Sequence, residues 1–149
     1  MAEMYLNLAE ILIELDALEN TTGRLEEAKD LIDKIRVRAG IPTIDEAWKK
    51  ANHPEKANTA EGLREIVRRE RQIEFYLENQ RFWDLRRWKD AGILGEKVWG
   101  MNIEGDTDET FFVPTELQNI RTFKQAQYLM PIPMTETNKV PHIVQNPGY

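Results

Sequence analysis

The residues best suited to catalysis or binding lie between Glu70 and Trp88, where carboxylates, arginines and aromatic side chains are densest. Read at helical spacing, this region continues an apolar stripe on which Glu70 and Glu74 also fall. The apolar members of that stripe are Leu63, Ile66, Val67, Ile73 and Leu77. A carboxylate on a face that points toward a core is costly unless it is paired and hydrogen-bonded. The two glutamates therefore need either partners or a function.

Two interpretations of these acids are open. Paired carboxylates could perform acid–base chemistry such as glycoside hydrolysis. A catalytic acid needs a raised pKa, however, whereas a neighbouring guanidinium lowers the pKa of a carboxyl group. Five arginines and four acids lie within residues 69–88, and Arg36 and Arg38 could reach across from another predicted helix. We therefore predict that Glu70 and Glu74 are buried acceptors of arginine hydrogen bonds, and that the protein is not an enzyme. The predicted structural ion-pair cluster comprises Glu70, Arg71, Glu74, Arg81, Asp84, Arg86 and Arg87.

Aromatic side chains offer a second kind of chemistry, because an aromatic face can stack on the apolar face of a sugar ring. Trp48 and Trp99 lie outside the predicted ion-pair cluster, and we take them as the candidates for ligand contact. Burial of either ring in the core is the alternative interpretation.

The composition excludes several other functions. The chain has 149 residues, of which 41% are hydrophobic and 31% charged, as in a globular domain. Its net charge of -6, with no basic block, argues against a nucleic-acid partner. No cysteine is present, and the two histidines, His53 and His142, lie far apart beside prolines. The acidic turn at residues 104–109 lacks the ligand order of a calcium hand. We therefore predict no metal site and no cofactor.

The first forty residues predict a helical hairpin. A helix over residues 3–19 is followed, after a turn in which Gly23 is expected to be left-handed, by a helix over residues 25–39 that Gly40 ends. The short link makes the pair antiparallel, similar to a tetratricopeptide unit. The apolar face predicted for the first helix comprises Tyr5, Leu8, Ala9, Leu12, Leu15 and Leu18, with Ile11 widening it. The face predicted for the second helix comprises Leu25, Ala28, Leu31, Ile32 and Ile35.

Residues 59–91 predict further helices, with Thr59 as an N-cap and a break at residues 78–80. Helical periodicity then disappears, and residues 92–149 are expected to be irregular with little strand. The strand we expect is a pairing of residues 98–103 with residues 110–113. The predicted fold class is thus mostly α: a tetratricopeptide-like hairpin, further helices and an irregular C-terminal segment, all within a single domain of residues 1–149.

Several short motifs occur in an order that matches one known family. They are YLNLAE at residues 5–10, IRVRAG at 35–40, ER at 70–71, Glu74, RFWDLRRW at 81–88, PIP at 131–133 and QNPGY at 145–149. Together they resemble the C-terminal part of the SusD/RagB family, and the resemblance covers nearly the whole chain.

The resemblance implies a function. Members of that family are non-catalytic, mostly helical lipoproteins exposed on the outer membrane of Bacteroidetes. They bind glycans, or in some cases peptides, and cap a SusC-like TonB-dependent transporter. The resemblance therefore implies nutrient binding at the outer-membrane surface, a glycan or other nutrient ligand and a transporter partner. It also implies that the lipid anchor and much of the glycan-contacting surface lie outside these residues.

Two other functions stay open beside the one that the resemblance implies. The first is a helical scaffold for protein interaction without glycan binding. The second is a fragment of a glycoside hydrolase.

Overall fold

Three long helices form most of the core in the first half of the chain. The computed structural model describes residues 1–117, 121–140 and 142–149, which divide into two compact units, Met1–Arg81 and Phe82–Tyr149. In the first unit, α1 (Ala2–Glu19) and α2 (Leu25–Arg38) form a hairpin, and α4 (Ala60–Glu74) packs against both. Their shared core includes the fully buried side chains of Leu6, Ala9, Ile13, Ala28, Ile32, Leu63 and Val67.

The buried face of α1 matches the predicted one only in part. Leu6, Ala9, Ile13 and Asp16 are fully buried. Of the predicted face, Ala9 is therefore in the core, Tyr5 and Leu12 are partly buried against it, and the rest is exposed. The exposed members are Leu8, Ile11, Leu15 and Leu18. Apolar residues line both sides of this helix, so periodicity alone does not settle which side faces the core.

Hydrogen bonds to Asp16 explain why a different face of α1 is turned toward the core. Its carboxylate accepts hydrogen bonds from the Thr21 hydroxyl and the Arg24 backbone N–H, both at 2.7 Å, and from the Arg24 guanidinium at 2.9 Å. These bonds close the turn to α2 and draw Asp16 inward. The left-handed residue of the turn is Asn20, with φ of 54°, and the prediction for Gly23 is wrong.

The predicted face of α2 is confirmed, since all of its members are buried. After Gly40, which is left-handed, a capping box between Thr43 and Glu46 starts α3 (Ile44–Trp48). A 3-10 turn at Pro54–Asn58 then leads to α4, where the Thr59 hydroxyl accepts a hydrogen bond from the Gly62 N–H. Gly62 is buried against the backbone of Lys56, where a Cβ atom would lie only 2.2 Å from a carbonyl oxygen.

The break predicted at residues 78–80 is present but begins earlier, at residue 75. Helix α4 ends at Glu74 and α5 runs over Gln80–Arg87. In the connection, Leu77 and Asn79 adopt left-handed backbone conformations, with φ of 68° and 62°. Because the helix ends before residue 77, the predicted stripe is wrong at its end: Ile73 and Leu77 are both exposed.

The second unit has a small antiparallel sheet. Strand β1 (Trp99–Met101) pairs with β2 (Pro114–Glu116), with Trp99 opposite Glu116. The expectation that residues 110–113 pair with β1 is wrong, because Thr107 and Thr110 cap each other and start α6 (Asp108–Phe111). The partner strand therefore begins at Pro114.

Short helical segments also occur in the region predicted to be irregular. These are two 3-10 turns, Ala91–Gly95 and Gln125–Tyr128, and α7 (Met134–Lys139). Residues 118–120 and 141 of that region lie outside the described residues. The predicted fold class, mostly α with little strand, is confirmed.

The last motif, QNPGY at residues 145–149, holds the preceding motif, PIP at residues 131–133, in place. Between two prolines, Ile132 has the only N–H group of the PIP segment. The side-chain amide of Gln145 accepts from that N–H and donates to the Ile132 carbonyl, both at 2.8 Å. Asn146 donates to the Met130 carbonyl at 2.6 Å, and the Tyr149 hydroxyl donates to the Leu129 carbonyl at 3.0 Å. Side chains of the tail thus make the hydrogen bonds to this backbone that a neighbouring strand would make in a sheet.

The Asp16 contacts predict a pH-dependent contribution to stability. Burial raises the pKa of Asp16, but the hydrogen bonds from Thr21 and Arg24 outweigh that effect and leave the pKa below its usual value. The stabilisation is complete above the ordinary carboxyl pKa of about 3.9 and is lost as the pH falls through the folded-state value. Asp16→Asn should therefore lower the Tm at pH 7, and the gap to the wild type should narrow at the acid end. Parallel Tm profiles over pH 2–7 would contradict this.

Candidate functional site

Two carboxylates of α4 accept hydrogen bonds from two arginines of α2. Arg36 donates to Glu70, and Arg38 donates to Glu74. The first pair is buried, with side-chain exposures of 12% for Arg36 and 10% for Glu70. In the second pair, Glu74 is half-buried and the Arg38 side chain keeps 59% exposure. The Nε of Arg36 also donates to the Pro42 carbonyl at 2.7 Å. Both glutamates are thus paired with an arginine, but the Glu70 pair is buried and the Glu74 pair is partly exposed.

Two arginines of α4 point in the other direction, toward α1. Arg64 makes a two-pronged contact with Glu14, at 2.5 and 2.7 Å. The hydrogen bond from Arg64 is the main cause of a lowered Glu14 pKa. Arg71 is buried and donates to the Asn7 side chain at 2.6 Å, with its guanidinium 5.3 Å from the centre of the Phe75 ring. Helix α4 is therefore joined by charged side chains to both helices of the hairpin.

The remaining members of the predicted cluster make contacts of a different kind. In the second unit, buried Asp84 accepts from Arg87 at 2.9 Å, and the Arg86 guanidinium lies 3.5 Å from the centre of the Phe82 ring. Arg81, at the end of the first unit, is half-buried and makes no ion pair within the described part of the chain. These contacts of Asp84, Arg86 and Arg87 are made with residues close to them in sequence.

A groove of about 400 Å³ opens beside Trp48 in the first unit. Its lining residues are Arg36, Trp48, Glu65, Ile66, Arg69, Glu70 and Ile73. Trp48 is half-buried and packs against the core, so its ring is held in place while it lines the groove. Arg69 is exposed and has no ion-pair partner among residues 1–117, 121–140 and 142–149. An apolar surface with charged groups along its edge can take a ligand that has one apolar face and several hydroxyl or carbonyl groups.

Trp48 also lines a second cavity of about 300 Å³. The other residues around that cavity are Asp45, Lys49, Pro54, Ala57 and Asn58, which are mainly polar or charged. The half-buried tryptophan therefore combines a core contact with two openings, and its contact with a ligand stays a prediction.

Trp99 has a different setting, on β1 of the second unit. The Trp99 side chain is exposed. Its partner on β2 is Glu116, which forms an ion pair with Lys97 at 2.6 Å. An exposed ring beside an ion pair can also stack on a sugar. The case for Trp99 as a ligand contact rests on the exposure of its side chain.

Sequence reasoning missed Arg69 and Ile73 as lining residues. Ile73 was placed on the core stripe, whereas it is exposed in the last turn of α4 and lines the groove. The available signal was its closeness to the predicted helix break, because a stripe loses its core contacts where a helix ends.

The described residues contain neither a candidate metal-binding cluster nor a candidate membrane-spanning helix. Within them, no three His, Asp or Glu side chains lie close enough together to hold a metal ion. The same part of the chain has no helix of the length and apolarity needed to cross a bilayer.

The sequence and the fold match one family. The SusD family model matches residues 1–149. The chain belongs to the SusD family. A SusD-like protein from Bacteroides fragilis is 36% identical, with a TM-score of 0.72, and the match covers 99% of this chain and 25% of that one. The protein BT4246, in selenomethionine form, is 34% identical, with a TM-score of 0.78 over 99% of this chain and 24% of its own.

Family membership confirms the resemblance seen in the motifs. The chain spans about a quarter of the length of these two solved structures. A search of curated proteins gave no match.

The unequal burial of the two α4 pairs predicts unequal mutational costs. Glu70→Ala leaves a buried guanidinium without its partner and should lower the free energy of unfolding by about 3–5 kcal/mol. Glu74→Ala, the matched control, breaks a largely exposed pair and should cost about 0.2–1 kcal/mol. Urea unfolding of both variants measures the difference. Equal losses would contradict the assignment of Glu70 as the structural member.

Proposed function

We propose that this chain is part of a non-catalytic protein that binds a glycan at the bacterial outer-membrane surface and delivers it to a SusC-like TonB-dependent transporter. The observation that carries the proposal is the SusD family match over residues 1–149. The SusD-like structure from Bacteroides fragilis supports it through the shared fold. A lipid anchor elsewhere in the longer protein would hold it at the cell surface.

The chemistry of the groove supports a sugar ligand. Trp48, Ile66 and Ile73 supply an apolar surface, on which the C–H face of a pyranose ring can pack. Arg69 brings guanidinium donors to the edge, where ring hydroxyls would lie. A groove of about 400 Å³ is within the usual range for small-molecule sites.

The charges beside the groove support binding over hydrolysis. Glycoside hydrolysis needs two carboxyl groups placed on either side of the scissile bond, one of them able to donate a proton. Glu70 accepts a hydrogen bond from Arg36, and Glu65 pairs with Lys56. Both acids that line the groove are thus paired with a basic side chain, which suits a role in structure or at the edge of the groove.

Glycan binding is tested with the longer protein on a glycan array, followed by calorimetry with the best ligand. Trp48→Ala should weaken the Kd about tenfold, which corresponds to the loss of roughly 1.4 kcal/mol of ring contact. Trp48→Phe should keep most of the affinity. Tyr76→Ala, which removes an exposed aromatic ring outside the groove, should leave the Kd unchanged.

Each outcome of this test is informative. A Kd weakened by Trp99→Ala and not by Trp48→Ala would move the site to β1 and overturn the groove assignment. Absence of binding to any glycan would overturn the glycan role. The partner is tested separately: a tagged longer protein should co-purify with a TonB-dependent transporter from outer-membrane extracts, and its absence would contradict the delivery role.

A further inference from the structure

The two openings beside Trp48 meet at that ring. Trp48 lines both the groove of about 400 Å³ and the cavity of about 300 Å³, and it is the residue that the two linings have in common. The ring is half-buried and packs against the core, which holds it in place. Two openings on one fixed aromatic ring suit a ligand of linked units, because the ring can contact one unit while the adjoining unit enters the other opening.

Arg69 brings an available positive charge to the groove. The two acids of the lining are engaged, since Glu70 accepts a hydrogen bond from Arg36 and Glu65 accepts one from Lys56. Glu65 lies four residues before Arg69 on α4, the spacing of a favourable helical ion pair, yet it contacts Lys56 instead. Arg69 is exposed and makes no ion pair within the described residues 1–117, 121–140 and 142–149. Its guanidinium can therefore bind a ligand.

Lys49 brings a second available charge, to the smaller cavity. The acid of that lining is Asp45, whose carboxylate accepts a hydrogen bond from the ammonium of buried Lys29 at 3.1 Å. Asp45 lies four residues before Lys49, so the arrangement in the groove is repeated: a base from another element engages the nearby acid. Lys49 is exposed and has no ion-pair partner in the described part of the chain. Each opening thus offers one cation together with the Trp48 ring.

The two cations favour a ligand with negative charges. A guanidinium binds a carboxylate or a tetrahedral oxyanion through two parallel hydrogen bonds, and an ammonium binds the same groups as a point charge. The chain as a whole has a net charge of -6 and therefore has no general attraction for polyanions. Binding of an anionic ligand thus depends on local cations of this kind. The same net charge makes a nucleic acid a poor fit.

We propose that the Trp48 site binds an acidic oligosaccharide, with a sugar in each opening, one anionic group at Arg69 and another at Lys49. The inference rests on the glycan role proposed above and adds the class of substrate. Carboxylates of uronic acids and sulfate esters both supply the required charge, and experiment distinguishes them. The sugar rings supply the apolar C–H faces that the Trp48 ring contacts, which a peptide of glutamates lacks.

A glycan array probed with the longer protein tests the class of ligand. The array carries oligosaccharides of uronic acids, sulfated oligosaccharides and neutral oligosaccharides of matched length, with an oligoglutamate peptide as a control for charge alone. Acidic oligosaccharides should bind at least about tenfold more tightly than neutral ones, and the oligoglutamate should not bind. The acidic class that binds more tightly identifies the anionic group.

Calorimetry with the best acidic oligosaccharide then tests the two cations. Arg69→Gln and Lys49→Gln should each weaken the Kd about tenfold, and the double variant about a hundredfold, because the two side chains contact separate sugars. Lys50→Gln is the matched control and should leave the Kd unchanged, since Lys50 is also exposed but lines neither opening. The same oligosaccharide with its anionic groups reduced or removed should bind the wild type and the double variant equally.

The outcomes separate this inference from the proposed function. Neutral oligosaccharides that bind as tightly as acidic ones, with a Kd that Trp48→Ala weakens, would overturn the acidic class and leave the glycan role intact. Acidic binding that neither Arg69→Gln nor Lys49→Gln weakens would overturn the placement of the charges. Equal binding of the oligoglutamate would mean that charge alone is recognised, which would also overturn the inference. No binding to any oligosaccharide would overturn the glycan role itself.

Discussion

The buried contact between the Arg36 guanidinium and the Glu70 carboxylate is the constraint on which the first unit depends. Removing two charges from water costs several kcal/mol per ion, which their attraction offsets only when the geometry is good and other hydrogen bonds are satisfied. Arg36 meets that condition by donating also to the Pro42 carbonyl. The pair then fixes α2 against α4, while Arg64 and Arg71 fix α4 against α1. A charged stretch that suggests catalysis is thus explained by packing.

The same pair connects the scaffold to the candidate site. Arg36 and Glu70 line the groove together with Trp48 of α3. Helix α3 begins shortly after Pro42, whose carbonyl accepts a hydrogen bond from Arg36. The side chains that fix α2 against α4 therefore also line the candidate site. This coupling suits a binding protein, because a rigid, largely pre-formed site loses little entropy when it binds.

Local patterns predicted the parts of the fold that depend on neighbours in sequence. The α2 face, the Thr59 cap and the helix break before Gln80 all follow from spacing and capping chemistry. The α1 face did not follow, because both sides of that helix are apolar and the choice depends on hydrogen bonds to Asp16 from the next turn. The groove was also beyond local patterns, since tertiary packing brings α3 and α4 together beside Trp48.

A double-mutant cycle on Arg36 and Glu70 tests the account most directly. The variants are Arg36→Met, Glu70→Leu and the double variant, each measured by urea unfolding. Either single change should cost about 3–5 kcal/mol, because it leaves one buried charge unpaired. The double variant should be more stable than either single variant, since it removes both charges and leaves apolar side chains of similar size. Additive losses in the double variant would contradict the claim that this pair holds the helices together.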